Sequence, residues 1–277
     1  MKLLLIGETG VGKTHYGAQL LVRLRLKQGV LRMRGAPTNI TAFEAALQAL
    51  NQGSAAQHTG SGVYAESYWP ILGPTGQAID LIWPDYAGEQ VRNMFDARQI
   101  SPDWRQRVLV SGGWLLVVRL QEMDPKEDIF SRPISAIHQS TEQKKDFRVS
   151  DQARLVELLQ ILLYVRGIGT LRSIAAPALT ILLSCWDEIG GLSSVIRPSV
   201  LLRDRMPLLH QFTAANWHPD RLSIFGLSAL GKPLREDGKD SEYIDFGPGH
   251  FGFVVLPGGS HSPDLTIPIA DLAALVG

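Results

Sequence analysis

In the run Gly7-Glu8-Thr9-Gly10-Val11-Gly12-Lys13-Thr14, three glycines stand beside an ammonium group and a hydroxyl. The spacing is G-x-x-x-x-G-K-[ST], and the chemistry it fits is the cradling of a phosphate. Backbone N–H groups wrap an anion only where no Cβ blocks its approach, which is the reason for Gly7, Gly10 and Gly12. Lys13 then reaches the β- and γ-phosphates and the Thr14 hydroxyl ligates Mg²⁺. His15 follows at the start of a helix whose N-terminal dipole adds to the attraction. The bland alternative is a glycine turn before an ordinary helix, and average residue usage produces this pattern by chance on the order of one time in a hundred. The flanks favour phosphate: Leu3 to Ile6 is an apolar run suited to a strand buried on both faces, and Tyr16, Leu20 and Leu24 fall on one face of a helix.

A nucleotide phosphate needs Mg²⁺, held through an acidic residue at the end of a neighbouring strand. Residues 66–86 read as a hairpin, with Ser67 to Leu72, a Gly73-Pro74-Thr75-Gly76 turn, and Ala78 to Trp83 running into Pro84-Asp85. Asp85 sits where the second strand stops. Thr41 reads as the N-cap of an amphipathic stretch from Phe43 to Leu50. Trp114 to Leu120 reads as a core strand, Gln152 to Val165 as a helix, and Leu179 to Ser184 and Leu222 to Leu227 as further strands. This alternation predicts an α/β fold of the P-loop NTPase type. Its doubly wound, mostly parallel sheet has helices on both faces and one antiparallel edge strand.

Asp85-Tyr86-Ala87-Gly88-Glu89 resembles the D-x-x-G switch element of Ras-like GTPases of the translation-factor-related (TRAFAC) class. The resemblance implies that Asp85 holds Mg²⁺ through a water and that the Gly88 N–H senses the γ-phosphate. The family places a glutamine after that glycine to orient the attacking water, whereas this chain has Glu89, with Gln90 one position later. A carboxylate beside a triphosphate is repelled, so Glu89 pairs elsewhere or Gln90 or a partner's arginine handles the water, and hydrolysis is expected to be slow or partner-dependent. For the Mg²⁺-binding threonine of switch I the candidates are Thr38, Thr41 and Thr59, of which Thr59 is favoured because it lies just ahead of the hairpin. Ser184-Cys185-Trp186-Asp187 occupies the place of the [NT]-K-x-D guanine-reading motif and matches it well only at the Asp. Asp187 is suited to accept from the ring N–H and exocyclic amine of guanine, a donor pair that adenine lacks on that edge. Cys185 in place of lysine removes the stem and charge that lie over the base. Trp186 reads more readily as a packing residue. Ser228-Ala229-Leu230 is similar to the S-A element whose backbone contacts guanine O6. GTP/GDP and Mg²⁺ are the cofactors implied.

The chain has 277 residues, 27 basic and 27 acidic side chains, 45% hydrophobic residues, 19% charged residues and one cysteine. Balanced charge gives no broad attraction for nucleic acid. Cys185 alone forms no internal disulfide, no run is long enough to cross a membrane, and the start is too short in apolar residues for a signal peptide. A cytoplasmic protein without membrane insertion or nucleic-acid binding is expected. A minimal Ras-like domain needs roughly 160–180 residues, so one domain over 1–277 is read with insertions at about 29–58, 122–150 and 231–264. With the terminal Leu265 to Leu272 segment, the arrangement resembles the bacterial double-GTPase families predicted to act in multi-gene defence or conflict systems. That implies a switch module with a protein effector or activating partner. Two rival readings stand beside a hydrolysing GTPase: a GTP-locked scaffold, motivated by Glu89, and an ATP-using P-loop enzyme, motivated by Ser184-Cys185-Trp186.

Overall fold

Along strand β1 (Lys2–Ile6), Leu3 and Leu5 enter one apolar cluster while Leu4 and Ile6 enter another, so the strand is covered on both sides. Period-two alternation sends successive side chains to opposite faces, and the rest of the chain supplies the two covers. The computed structural model describes residues 1–56, 65–85, 94–95, 98–122, 150–189 and 196–277. The cluster holding Leu3 and Leu5 is completed by α1 (Lys13–Leu26), by Phe43 of α2 (Thr41–Asn51), and by α8 (Ile267–Val276). The cluster holding Leu4 and Ile6 is completed by α3 (Pro102–Val110), α4 (Asp151–Val165), α5 (Pro198–Arg205) and α6 (Pro207–Asn216). Ser101 and Ser150 cap α3 and α4 by accepting from the N–H groups of Trp104 and Ala153.

The remaining strands are β2 (Arg32–Met33), β3 (Ala65–Leu72), β4 (Ala78–Asp85), β5 (Gly113–Arg119), β6 (Ala178–Ser184), β7 (Leu222–Ser228), β8 (Phe253–Val255) and β9 (His261–Ser262). They form one sheet in the order β2-β3-β4-β1-β5-β6-β7-β8-β9. β4, β1, β5, β6 and β7 run parallel to one another. The expected antiparallel edge is the β3–β4 hairpin, extended by β2; its turn closes with the Gly76 N–H on the Gly73 carbonyl at 3.0 Å. The opposite edge carries a second antiparallel extension, β8 and β9, that the sequence pattern did not announce. It comes from the glycine-rich segment 231–264, which also holds α7 (Ser241–Phe246).

Thr41 does not act as an N-cap. It is the first residue of α2, Ile40 occupies the cap position, and no side chain caps the helix. Docking of the apolar face fixes α2 instead: Phe43 meets Trp69 and Trp83 edge-on, each at 5.2 Å, over two indoles stacked at 5.6 Å. No helix of the described residues is long and apolar enough to cross a membrane.

Candidate functional site

All five parallel strands deliver their C-terminal ends to one edge of the sheet, where α/β folds build their sites. The loop after β1 is shaped by its glycines for two different reasons. Gly10 and Gly12 have φ of 81° and 80°, the left-handed region that costs a side-chain-bearing residue about 1–2 kcal/mol. Gly7 is instead a matter of space, since a Cβ there would lie 3.1 Å from Val11 Cγ2 and 3.2 Å from the Val117 carbonyl oxygen. α1 starts directly after Gly12, which has no side chain to cap it, and its first turn carries no acidic residue. The positive end of the helix therefore meets the loop uncompensated by side-chain charge. Lys13 is 8% exposed and arches back, its Nζ donating to the carbonyls of Gly7 at 2.9 Å and Glu8 at 2.5 Å. His15 Nε2 accepts the Ala56 N–H at 3.0 Å, which ties the start of α1 to the segment following α2.

The loops after β6 and β7 meet 41 residues apart in sequence. Ser228 Oγ donates to Asp187 Oδ1 at 2.5 Å and accepts the Gly231 N–H at 2.8 Å, so the hydroxyl fixes both the carboxylate and the turn beyond it. Trp186 is buried, its ring lying where a side chain on Gly226 would stand, in keeping with its reading as a packing residue. Cys185 adopts a left-handed φ of 53° and brings Sγ to 3.6 Å from the position of a Cβ on Gly12. A cleft of about 270 Å³ runs between these loops. One end is lined by Thr9, Gly10, Gly12, Lys13, Thr14 and His15; the other by Cys185, Asp187, Ala229 and Leu230. Residues of 231–264 are part of this wall, with Pro233, Leu234 and Glu236 on the cleft. Tyr243, fully buried, donates its hydroxyl to the Leu230 carbonyl, and burial drives the pKa of that phenol well above its ordinary value.

Four charged residues that motif spacing did not single out, Arg154, Asp151, Arg119 and Glu188, complete the frame. Arg154 of α4 grips both carboxylate oxygens of Glu8 at 2.7 Å and also meets Asp151 at 2.8 Å. Burial pulls the pKa of Arg154 down, but the bonds it donates to Glu8 and the charges of Glu8 and Asp151 raise it past its ordinary value. Arg119, the last residue of β5, grips both oxygens of Glu188. The sequence signals Arg119 and Glu188 only as an Arg ending an apolar strand and an acid one place after Asp187, and it offers none for Arg154 and Asp151.

The other candidates are distributed as follows. Asp85 is the last residue of β4, which pairs in parallel with β1, so the strand ends beside the phosphate-loop strand. Thr38 lies along β3: its N–H donates to the Tyr68 carbonyl at 3.0 Å and its hydroxyl accepts the Tyr68 N–H at 3.1 Å. Thr59, Gly88, Glu89 and Gln90 lie outside the described residues. Among the described residues no group of three or more His, Cys, Asp or Glu is arranged to hold a metal.

A glycine-lined loop between the first strand and first helix of a doubly wound α/β sheet defines a P-loop NTPase. The Double-GTPase 1 family profile matches residues 4–272, and the chain belongs to that family. Membership makes it a guanine-nucleotide-binding protein of a GTPase family. No curated protein matches it. A chain from the solved structure titled "The Structure of the Mammalian SRP Receptor" is similar at 12% identity, covering 83% of this chain and 92% of that one. Its TM-score is 0.36, too loose a likeness to argue from.

Proposed function

We propose that this protein is a Mg²⁺-dependent GTPase that switches conformation on hydrolysis. The observation that carries the reading is a single cleft with Lys13 and the start of α1 at one end and the Asp187–Ser228 pair at the other. Lys13 and the loop amides bind the β- and γ-phosphates and counter the negative charge on the transferring group, with no covalent intermediate. Asp187, its carboxylate oriented by Ser228, accepts from the guanine ring N–H and amine, and the Ala229–Leu230 backbone faces O6. Thr14, Thr59 and Asp85 are a set of hydroxyl and carboxylate oxygens, the hard donors that Mg²⁺ takes, and few protein ligands suffice because phosphates and waters fill the rest. Bound there, the ion would neutralise charge on the phosphate oxygens. Glu89 and Gln90 are assigned to the attacking water, and an activating partner is read from the lack of a glutamine directly after Gly88. The segments around Thr59 and Gly88 are the switch, ordered by the γ-phosphate. The setting we infer, from family resemblance, is a cytoplasmic switch within a bacterial multi-protein defence system.

Competition of GTP and ATP for a fluorescent nucleotide tests the base reading, and preference for ATP would sink it. Lys13→Ala is expected to abolish tight triphosphate binding. Micromolar GTP affinity retained in that variant by calorimetry counts against this site. Phosphate release with and without candidate partners distinguishes a hydrolysing switch from a GTP-locked scaffold.

A further inference from the structure

In the sheet, β5 lies between β1 and β6, so its C-terminal end is flanked by the phosphate loop on one side and the base-reading loop on the other. The register is explicit: Ile6 pairs with Leu116, and Arg119 pairs with Ser184, the residue before Cys185. From that position the Arg119 guanidinium reaches in both directions. Nη1 donates to the Gly10 carbonyl at 3.1 Å, while Nε and Nη2 donate to the two carboxylate oxygens of Glu188 at 2.9 and 2.6 Å. The fork matches the carboxylate in the planar, two-bond geometry that arginine offers and lysine does not. Gln121, two residues on, donates to the Glu188 carbonyl at 2.8 Å, so the same segment holds Glu188 by side chain and by backbone. Glu188 is the immediate neighbour of Asp187.

Cys185, where the related motif has a lysine, has a single atom beyond Cβ. It lies against Gly12 but lacks the long cationic stem of that lysine. We propose that Arg119 is the positioning residue that couples phosphate binding to base selection. Acting from the neighbouring strand, it locks the Cys185–Glu188 loop to Gly10, the work a long basic side chain at position 185 would otherwise do. Arg119 and Glu188 both line the cleft, but the guanidinium is engaged with the Glu188 carboxylate and the Gly10 carbonyl, so in this proposal it acts on the nucleotide by placing Gly10 and Asp187. A guanidinium tied to two loops fixes their separation, and that separation sets where Asp187 stands when the phosphates are seated. The inference rests on the guanine reading of Asp187, and the test is arranged so that the two fail separately.

The experiment measures affinities for GDP, ADP and inorganic pyrophosphate, with thermal melting of the nucleotide-free protein, in the parent, Arg119→Gln, Glu188→Gln and Arg119→Gln/Cys185→Lys. Loss of charged hydrogen bonds is expected to weaken GDP binding by roughly 10- to 100-fold in Arg119→Gln. Pyrophosphate affinity is expected to change by less than about threefold, so that the GDP-over-ADP preference narrows. Glu188→Gln, which keeps the contact to Gly10, moves the same ratio in the same direction and serves where Arg119→Gln does not fold. Restoring a long cation through Cys185→Lys is expected to recover most of the GDP affinity. Unchanged GDP binding in both single variants overturns the proposal, as does an equal loss of GDP and pyrophosphate, or a double variant no better than Arg119→Gln. The guanine reading is tested by Asp187→Asn. Xanthine has a carbonyl where guanine has its amine, so an amide at 187 should favour xanthosine diphosphate. Absence of that exchange removes the base reading and the role of Arg119 with it, whereas the exchange with a silent Arg119→Gln removes Arg119 alone.

Discussion

Gly226→Ala is the sharpest probe of how the Cys185–Glu188 loop, to which we assign base reading, is held. A methyl group on residue 226 would lie 2.4 Å from Trp186 Cε3 and 2.8 Å from Cδ2 and Cζ3, well inside van der Waals contact. β7 has no room to retreat, because Gly226 is paired with Leu183 on one side and Val255 on the other. The indole must yield, and it is only 8% exposed, packed in the larger of the apolar clusters. Overpacking of this kind costs about 1–3 kcal/mol, and a protein of this size loses roughly 2–4 °C of melting temperature per kcal/mol. We expect the nucleotide-free variant to melt roughly 2–12 °C below the parent. Trp186 adjoins Asp187, so under the proposed base-reading role of Asp187 the displacement lowers GDP affinity more than pyrophosphate affinity. Trp186→Leu, placed in the Gly226→Ala background, removes the clashing ring atoms. The double variant should therefore be destabilised by at least about 1 kcal/mol less than the sum of the singles. Melting scans and calorimetric titrations of the four proteins decide the matter. A Gly226→Ala protein that melts and binds GDP like the parent, or strictly additive losses, refutes the idea that this contact places the loop.

Two further outcomes follow from charges elsewhere in the fold. Arg154→Gln releases Glu8 without touching the base-reading loop, so GTP and pyrophosphate affinities should fall together by roughly fivefold, corresponding to about 1 kcal/mol. Calorimetry that finds only the guanine nucleotide affected contradicts that assignment. Asp271 of α8 is pushed above the ordinary carboxylate range by burial, offset in part by the hydroxyl of Ser223 donating at 2.6 Å. Its native pKa exceeds its unfolded one, so the native state holds the proton more tightly. Stability from this group is present below the unfolded pKa and is lost as pH rises through the native pKa. Asp271→Asn keeps an acceptor for Ser223 and removes the titration. Urea midpoints for that variant should lack the decline and match or exceed the parent at neutral pH, and a parallel pH profile for the two proteins contradicts this.

Local signals brought much of the molecule within reach of the sequence. Leu3 to Ile6 reads as a buried strand because four consecutive apolar residues suit a two-sided environment. The loop from Gly7 to Thr14 reads as a phosphate cradle because its chemistry needs main-chain approach within a few residues. The hairpin around Gly73 to Gly76 is as local. Thr41 shows the limit even at short range: the indoles of Trp69 and Trp83, which bury Phe43, position α2, and the helix dispenses with a side-chain cap.

The glycine-rich loop and the class of fold that presents it are thus legible in local residue patterns. The remainder emerges only when distant segments pack together. Asp187 and Ser228 become one device, Arg119 reaches both Gly10 and Glu188, and segment 231–264 lines the cleft through Pro233, Leu234 and Glu236 before it extends the sheet as β8 and β9. The physical reason is one of range. Periodicity and steric exclusion act over a few residues, whereas the neighbours of a strand end depend on the order in which strands separated by tens of residues enter the sheet. That order is set by burying both faces at once.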